Sequence, residues 1–177
     1  MSAVSAMWLF LASVLSLALV FDFRYRRIPN WLILIGLSGG FLSGQALGSG
    51  LVNALGGTAV GLAIFFPLYL LRGMGAGDVK LMAVVGSLLG PTSVIGAGLL
   101  ALLAGGVLSL GVAVMTGALH RVLNNLRLMG VVVVAGRTSK VSLHDVQTTG
   151  RLPYALAICV GTALQILLTT QAGWPFK

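Results

Sequence analysis

The sequence predicts an all-α, polytopic membrane protein with about six transmembrane helices and with both termini on the outer, periplasmic side. The 177-residue chain is 58% hydrophobic and only 8% charged, and its mean hydropathy is +1.04, values typical of integral membrane proteins. Its apolar runs approach the ~20 residues that a helix needs to cross the hydrocarbon. No low-complexity linker or long polar block divides them, which predicts a single membrane domain over residues 1–177.

The apolar runs define the predicted spans. The first, Ser2–Phe21, is uncharged for twenty residues and precedes its arginines, whereas a signal peptide carries its positive charge first, so we predict a retained helix. The run Val79–Leu119 is too long for one crossing, and Gly90-Pro91 offers a turn that divides it and leaves a short first arm. The remaining predicted spans are Trp31–Leu47, Leu51–Leu71 and Pro153–Thr170.

Glycines at four-residue spacing mark the second and third spans. This spacing is typical of seams where membrane helices pack closely, although glycine is also generally frequent in such helices. Both interpretations stay open for Gly36, Gly40, Gly44, Gly57 and Gly61.

The basic residues indicate the orientation of the spans. With six crossings, Lys177 alone falls on the outer side, and the other ten lie together on the opposite face, which the positive-inside rule identifies as cytoplasmic. The net charge of +8 therefore predicts a membrane protein and no nucleic-acid partner. The ten residues are Arg24, Arg26, Arg27, Arg72, Lys80, Arg121, Arg127, Arg137, Lys140 and Arg151.

Residues 120–152 form a predicted cytoplasmic loop. Its β-branched segment Val131–Val134 fits either a short strand or a stretch lying on the bilayer. His120 and His144 are too isolated to suggest a metal site, and Asp145 is expected at the surface. The lone Cys159 has no partner for an internal disulfide and is expected to pack, so we predict neither metal nor cofactor.

The chain contains three acidic residues, Asp22, Asp78 and Asp145, and no Glu. The first two border long apolar runs, where a carboxylate costs up to ~2.5–3.5 kcal/mol on insertion scales, so their retention suggests function. The six-span topology places Asp22 and Asp78 at the same membrane face. Two close carboxylates can share a proton, which gives a hydrolase its acid and its base. In the structural alternative, Asp22 balances the arginines and Asp78 caps a helix.

The segments around these aspartates resemble the type IV prepilin peptidases. Gly75-Ala76-Gly77-Asp78 matches the GxGD signature of membrane aspartyl proteases, and Val79-Lys80-Leu81 extends the match. Asp22, the arginines that follow it and Ile28-Pro29-Asn30 are similar to the family's first motif. Arg151-Leu152-Pro153-Tyr154-Ala155-Leu156-Ala157-Ile158 is similar to the start of its last helix.

The resemblance implies an endopeptidase of the bacterial inner membrane that removes the leader of a prepilin or pseudopilin at the cytoplasmic face. Asp22 and Asp78 would be catalytic, and Gly75, Gly77, Lys80, Pro29 and Asn30 would shape the site or bind substrate. The apolar helix after the cleavage point would lie against the glycine-bearing spans. Lys80 would pair with an acidic residue early in that helix, unless it only extends to the membrane interface.

The chain lacks the cysteine-rich zinc loop of larger family members, which also methylate the new N-terminus. Methyl transfer is therefore not expected, and the short form resembles the peptidases of Flp/Tad-type pilus systems. The sequence also allows two alternatives: a presenilin-like GxGD protease, and a small transporter or assembly subunit whose aspartates bind a proton or cation. The sequence predicts no oligomeric state.

Overall fold

A computed structural model describes residues 3–71, 73–115, 117 and 154–171, and the regular structure in these residues is helical. This agrees with the predicted all-α class. Residues 120–152, with the predicted loop, both histidines and Asp145, lie outside the described residues. The five described helices are α1 (Ala3–Tyr25), α2 (Asn30–Ala46), α3 (Gly50–Leu70), α4 (Ala76–Met115) and α5 (Tyr154–Gln171).

Three of the described helices are long and apolar enough to cross a membrane: Val4–Tyr25, Gly50–Leu70 and Ala76–Met115. Tyr154–Thr170 is apolar but shorter, and α2 has 17 residues, somewhat below the ~20 of a full crossing. The chain is therefore a membrane protein by the length and composition of its helices. The count of six spans and the sides of the termini stay predictions.

The long helix α4 reverses direction at the predicted break. Gly90 has non-helical dihedrals, φ 79° and ψ 171°, and Pro91 follows it. A Cβ placed on Gly86 would lie 3.2 Å from Val94 Cγ2, and one on Gly98 would lie 3.4 Å from Met82 Cε. These contacts pair residues at equal distances on either side of Gly90, so the two arms of α4 pack antiparallel.

The first arm of α4, residues 76–89, runs through the core. Every residue from 81 to 90 is buried, as expected for a helix that is apolar on all sides. The arm is ~21 Å long at 1.5 Å per residue, which is shorter than the ~30 Å hydrocarbon.

The glycines of α2 and α3 pack against this first arm. A Cβ on Gly57 would overlap the Gly86 carbonyl group, and one on Gly61 would lie 2.5 Å from the Met82 carbonyl oxygen. A Cβ on Gly36 or Gly40 of α2 would instead overlap a side chain of this arm, Val84 or Ser87 respectively. These four glycines are therefore a packing seam inside the protein. The expectation that a substrate helix lies against the glycine-bearing spans stays a prediction.

The chain divides into two compact units, Met1–Gly105 with Pro153–Lys177, and Gly106–Leu152. In the first unit, α1 packs against α2 and α5, and α2 packs against α3. All of the predicted site residues belong to this first unit. The described part of the second unit consists of the end of α4 and Gly117.

Candidate active site

Asp22 lies in the last turn of α1, because this helix continues to Tyr25 and does not end at Phe21 as the apolar run suggested. The backbone N–H of Arg26 donates to the Asp22 carbonyl oxygen at 2.9 Å. Arg26 has φ 51°, the left-handed conformation that commonly ends a helix and that is usually taken by glycine. Pro29, with φ −69° and ψ 141°, then precedes the first residue of α2. The chain therefore turns sharply just after Asp22.

The Asp22 carboxylate is supported by a remote helix. Its Oδ2 atom accepts a hydrogen bond of 3.1 Å from the backbone N–H of Ala155, in the first turn of α5, and the residue is 9% exposed. The N–H groups of a first helical turn have no partner in their own helix, and the dipole there favours negative charge. The C-terminal end of α1 alone would disfavour that charge, and the start of α5 offsets this effect.

Asp78 is supported within its own helical turn. Its Oδ2 atom accepts a hydrogen bond of 3.1 Å from the Gly75 N–H, and its N–H donates to the Gly75 carbonyl oxygen at 3.2 Å. Asp78 thus caps α4, as the structural alternative held: its side chain reaches back to the Gly75 N–H as the acidic residue of a capping box does, while its own N–H bonds to a backbone carbonyl. A carboxylate has about four acceptor sites, so capping does not exclude a chemical role for this residue, which is 8% exposed.

Two of the predicted site glycines allow close contacts around Asp78. A Cβ on Gly77 would lie 3.2 Å from the Cβ of Ile28, which belongs to the α1–α2 turn. A Cβ on Gly75 would lie 3.2 Å from Asp78 Oδ2. Gly77 therefore brings the start of α4 against the turn that follows Asp22, and Gly75 leaves space for the capping carboxylate.

A polar contact also joins the two motifs. Lys80 Nζ donates to Asn30 Oδ1 at 3.0 Å, and Asn30 is the first residue of α2. The lysine therefore has a partner in its own chain, and together with the contact between Ile28 and Gly77 it connects the two segments that carry the aspartates.

The structure brings Asp22 and Asp78 close enough for the charge of one carboxylate to act on the other. Tyr154 lies near enough to Asp78 for the same kind of interaction, and Cys159 lies near Asp22. Tyr154 is half-buried, and its ring packs edge-on against Phe65 with centroids 6.4 Å apart.

The sequence did not identify Tyr154 and Ala155 as site residues. One feature of the sequence could have identified them. Pro153 stands immediately before an apolar run, and a proline in that position marks the start of a helix, where N–H groups are unpaired. Their contact with Asp22 connects residues far apart in the chain, and no spacing rule predicts such a contact.

Comparison with known proteins gives one match. The model of the type IV leader peptidase family matches residues 9–110, which include both aspartates and more than half of the chain. Searches of curated proteins and of solved structures give no significant match. The matched region contains Asp22, Asp78 and the predicted site residues between them, and it ends before α5. The chain therefore belongs to the type IV leader peptidase family.

Proposed function

We propose that this leader peptidase is an aspartic endopeptidase in which Asp22 and Asp78 are the catalytic carboxylates. The observation that carries the proposal is their arrangement. They are the acidic residues of the described part of the chain, both are buried, and each lies within electrostatic reach of the other. Burying two acids within electrostatic reach of each other in an apolar protein is unfavourable for stability, so a chemical role accounts for the arrangement better than capping alone.

Two neighbouring carboxyl groups provide the chemistry that peptide hydrolysis needs. The ionised group accepts a proton from water, which then attacks the carbonyl carbon, and the protonated group donates a hydrogen bond to the carbonyl oxygen. When the tetrahedral intermediate collapses, a proton passes to the leaving nitrogen and the C–N bond breaks. Each aspartate already accepts one backbone N–H through Oδ2, which restrains the carboxylates before substrate arrives.

The substrate and location follow from the family and the charge pattern. The resemblance to prepilin peptidases supports a prepilin or pseudopilin as substrate. The ten basic residues on one side of the predicted spans support a site at the cytoplasmic face of the inner membrane. We infer a Flp-type prepilin as substrate because the chain resembles the short peptidases of those systems. The bilayer is the second partner, and methyl transfer is not part of the proposal.

The test is prepilin cleavage by protein reconstituted in lipid vesicles. Asp22→Asn and Asp78→Asn should each lower the cleavage rate by about 10² to 10⁴, because one carboxyl group cannot act as acid and base at once. An asparagine oxygen can still accept the supporting N–H, so both variants should insert and fold. Asp145→Asn is the control and should cleave at the wild-type rate.

Two results would contradict the proposal. Wild-type cleavage by either single variant would exclude the aspartate pair as the catalytic machinery. Proton or cation uptake that depends on both aspartates, without cleavage of any prepilin, would support the transporter alternative.

A further inference from the structure

We propose that the first turn of α5 is the positioning element of the catalytic pair, because it fixes the Asp22 carboxylate relative to Asp78. This inference rests on the proposed function for its catalytic consequence. The geometry on which it stands is independent of that function. It concerns two residues outside the family match, Tyr154 and Ala155.

The contact with Asp22 is direct. The Ala155 N–H donates to Asp22 Oδ2 at 3.1 Å in a buried setting, and Ala155 itself is fully buried. The two carboxylate oxygens of Asp22 rotate together about the Cβ–Cγ bond. A hydrogen bond to one oxygen therefore largely determines where the other oxygen points. A hydrogen bond from an N–H to a carboxylate is shorter and stronger than one to a neutral acceptor.

The turn that makes this contact is itself fixed by the rest of the bundle. The Tyr154 ring packs edge-on against Phe65 of α3, which is fully buried. The same ring leaves no space for a Cβ on Gly105, in the second arm of α4. One helical turn further along α5, Cys159 Sγ lies 3.7 Å from the Leu15 carbonyl oxygen of α1. The position of the Ala155 N–H is therefore set by contacts with three helices.

The same turn also approaches Asp78. The Tyr154 phenol lies within electrostatic reach of Asp78, and the next residue in the chain donates to the Asp22 carboxylate. Tyr154 acts through its packing against Phe65, so it is, with Ala155, a positioning residue.

The experiment removes the hydrogen bond without changing a side chain. Cell-free translation into lipid nanodiscs with an α-hydroxy acid replaces the amide N–H of Ala155 by an ester oxygen. The matched control is the same replacement at Leu156, whose N–H is also in the first turn, where helices leave N–H groups unpaired. Each ester weakens one neighbouring carbonyl acceptor, so the two proteins differ mainly in the bond to Asp22.

Two readouts separate positioning from function. The first is labelling of Asp22 by a membrane-permeant carbodiimide, quantified by mass spectrometry, which needs no catalysis. It should rise about threefold or more in the Ala155 ester, because the freed carboxyl group is less constrained, and stay at the wild-type level in the Leu156 ester. The second is prepilin cleavage, where kcat should fall about tenfold or more in the Ala155 ester with KM unchanged.

Side-chain variants test the anchor. Tyr154→Ala should raise the labelling of Asp22 and lower kcat, as the Ala155 ester does. Tyr154→Phe keeps the ring and should have the labelling and kcat of the wild-type protein. Equal labelling in the two esters, or a Tyr154→Phe variant as impaired as Tyr154→Ala, would overturn the proposal. If the wild-type protein cleaves no prepilin but the labelling pattern holds, the proposed function fails and the positioning of Asp22 stands.

Discussion

The two aspartates of the site are supported in opposite ways. Asp78 is held by Gly75, three residues before it in the same helical turn. Asp22 is held by Ala155, which is 133 residues away in the chain. One carboxylate is therefore placed by local backbone geometry, and the other by the packing of the whole first unit.

This difference has a consequence for assembly of the site. The Asp78 cap can form as soon as α4 begins, whereas the Asp22 contact requires α5 to be packed against α1. Contacts between distant residues are made late because their loop-closure entropy must be met first. We therefore expect perturbations of packing to separate the two carboxylates before they disturb the geometry around Asp78.

The largest expected effect on stability comes from disturbing the glycine packing seam, which positions the first arm of α4 and with it Asp78. In Gly57→Ala, the added Cβ would overlap the Gly86 carbonyl, which is backbone and cannot move cheaply. We expect a loss of ~3 kcal/mol or more in the free energy of unfolding, measured by denaturation in detergent micelles, together with a fall in cleavage rate.

The adjacent glycine is the matched control. In Gly56→Ala, the added Cβ would lie 3.9 Å from the Pro91 ring, an ordinary contact. Replacing glycine by alanine inside a helix gains ~0.5–1 kcal/mol, so this variant should be as stable as wild type or slightly more so. Equal stabilities for the two variants would show that α3 and the first arm of α4 do not pack through Gly57.

The contrast between local and remote support also explains what the sequence could predict. Helix positions follow from apolar runs, the break in α4 from Gly90-Pro91, and the cap at Asp78 from a glycine-rich segment before a helix, because each is a local property. The position of Tyr154 and Ala155 beside the aspartates is a property of tertiary packing. Periodicity marked five glycines of α2 and α3 as candidates for a packing seam, but only the structure shows that the first arm of α4 packs against four of them.

The end of α1 illustrates a smaller error. The predicted span stops at Phe21 with Asp22 at its C-terminal end, yet α1 continues to Tyr25. Charged side chains after an apolar run do not end a helix by themselves, because hydropathy reports the solvent and backbone hydrogen bonds determine the helix. Arg26, in the left-handed conformation, ends α1, and no simple sequence signal predicts arginine at that position.

A moderate effect is expected at the contact between Lys80 and Asn30, which ties the Asp78 segment to the turn after Asp22. Lys80→Met and Asn30→Leu each remove one partner, and the double variant removes both. If the lysine acts within its own chain, the double variant should be no worse than either single one, with a coupling energy of ~0.5–1.5 kcal/mol in kcat/KM.

Pairing of Lys80 with an acidic residue of the substrate predicts a different pattern. Lys80→Met would then raise KM, Asn30→Leu would leave KM unchanged, and the two effects would add. Exchanging the substrate acid for a lysine would in that case restore cleavage by Lys80→Glu. Additive effects with a KM change confined to the lysine variants would exclude the contact with Asn30 as the main role of Lys80.

The smallest expected effect is at Thr162, on the helix that supports Asp22 but about two turns beyond Ala155. Thr162 is fully buried, and its hydroxyl has no hydrogen-bond partner among the described residues. It lines a largely apolar cavity of about 170 Å³ between α1 and α5, together with Leu11 and Leu15.

Valine has the same shape without the hydroxyl, and removing an unpaired buried polar group is neutral or stabilising. We therefore expect Thr162→Val to be as stable as wild type or up to ~1 kcal/mol more stable, with unchanged kcat and unchanged carbodiimide labelling of Asp22. A loss of activity in this variant, with stability preserved, would mean that Asp22 depends on the whole of α5 and not on its first turn.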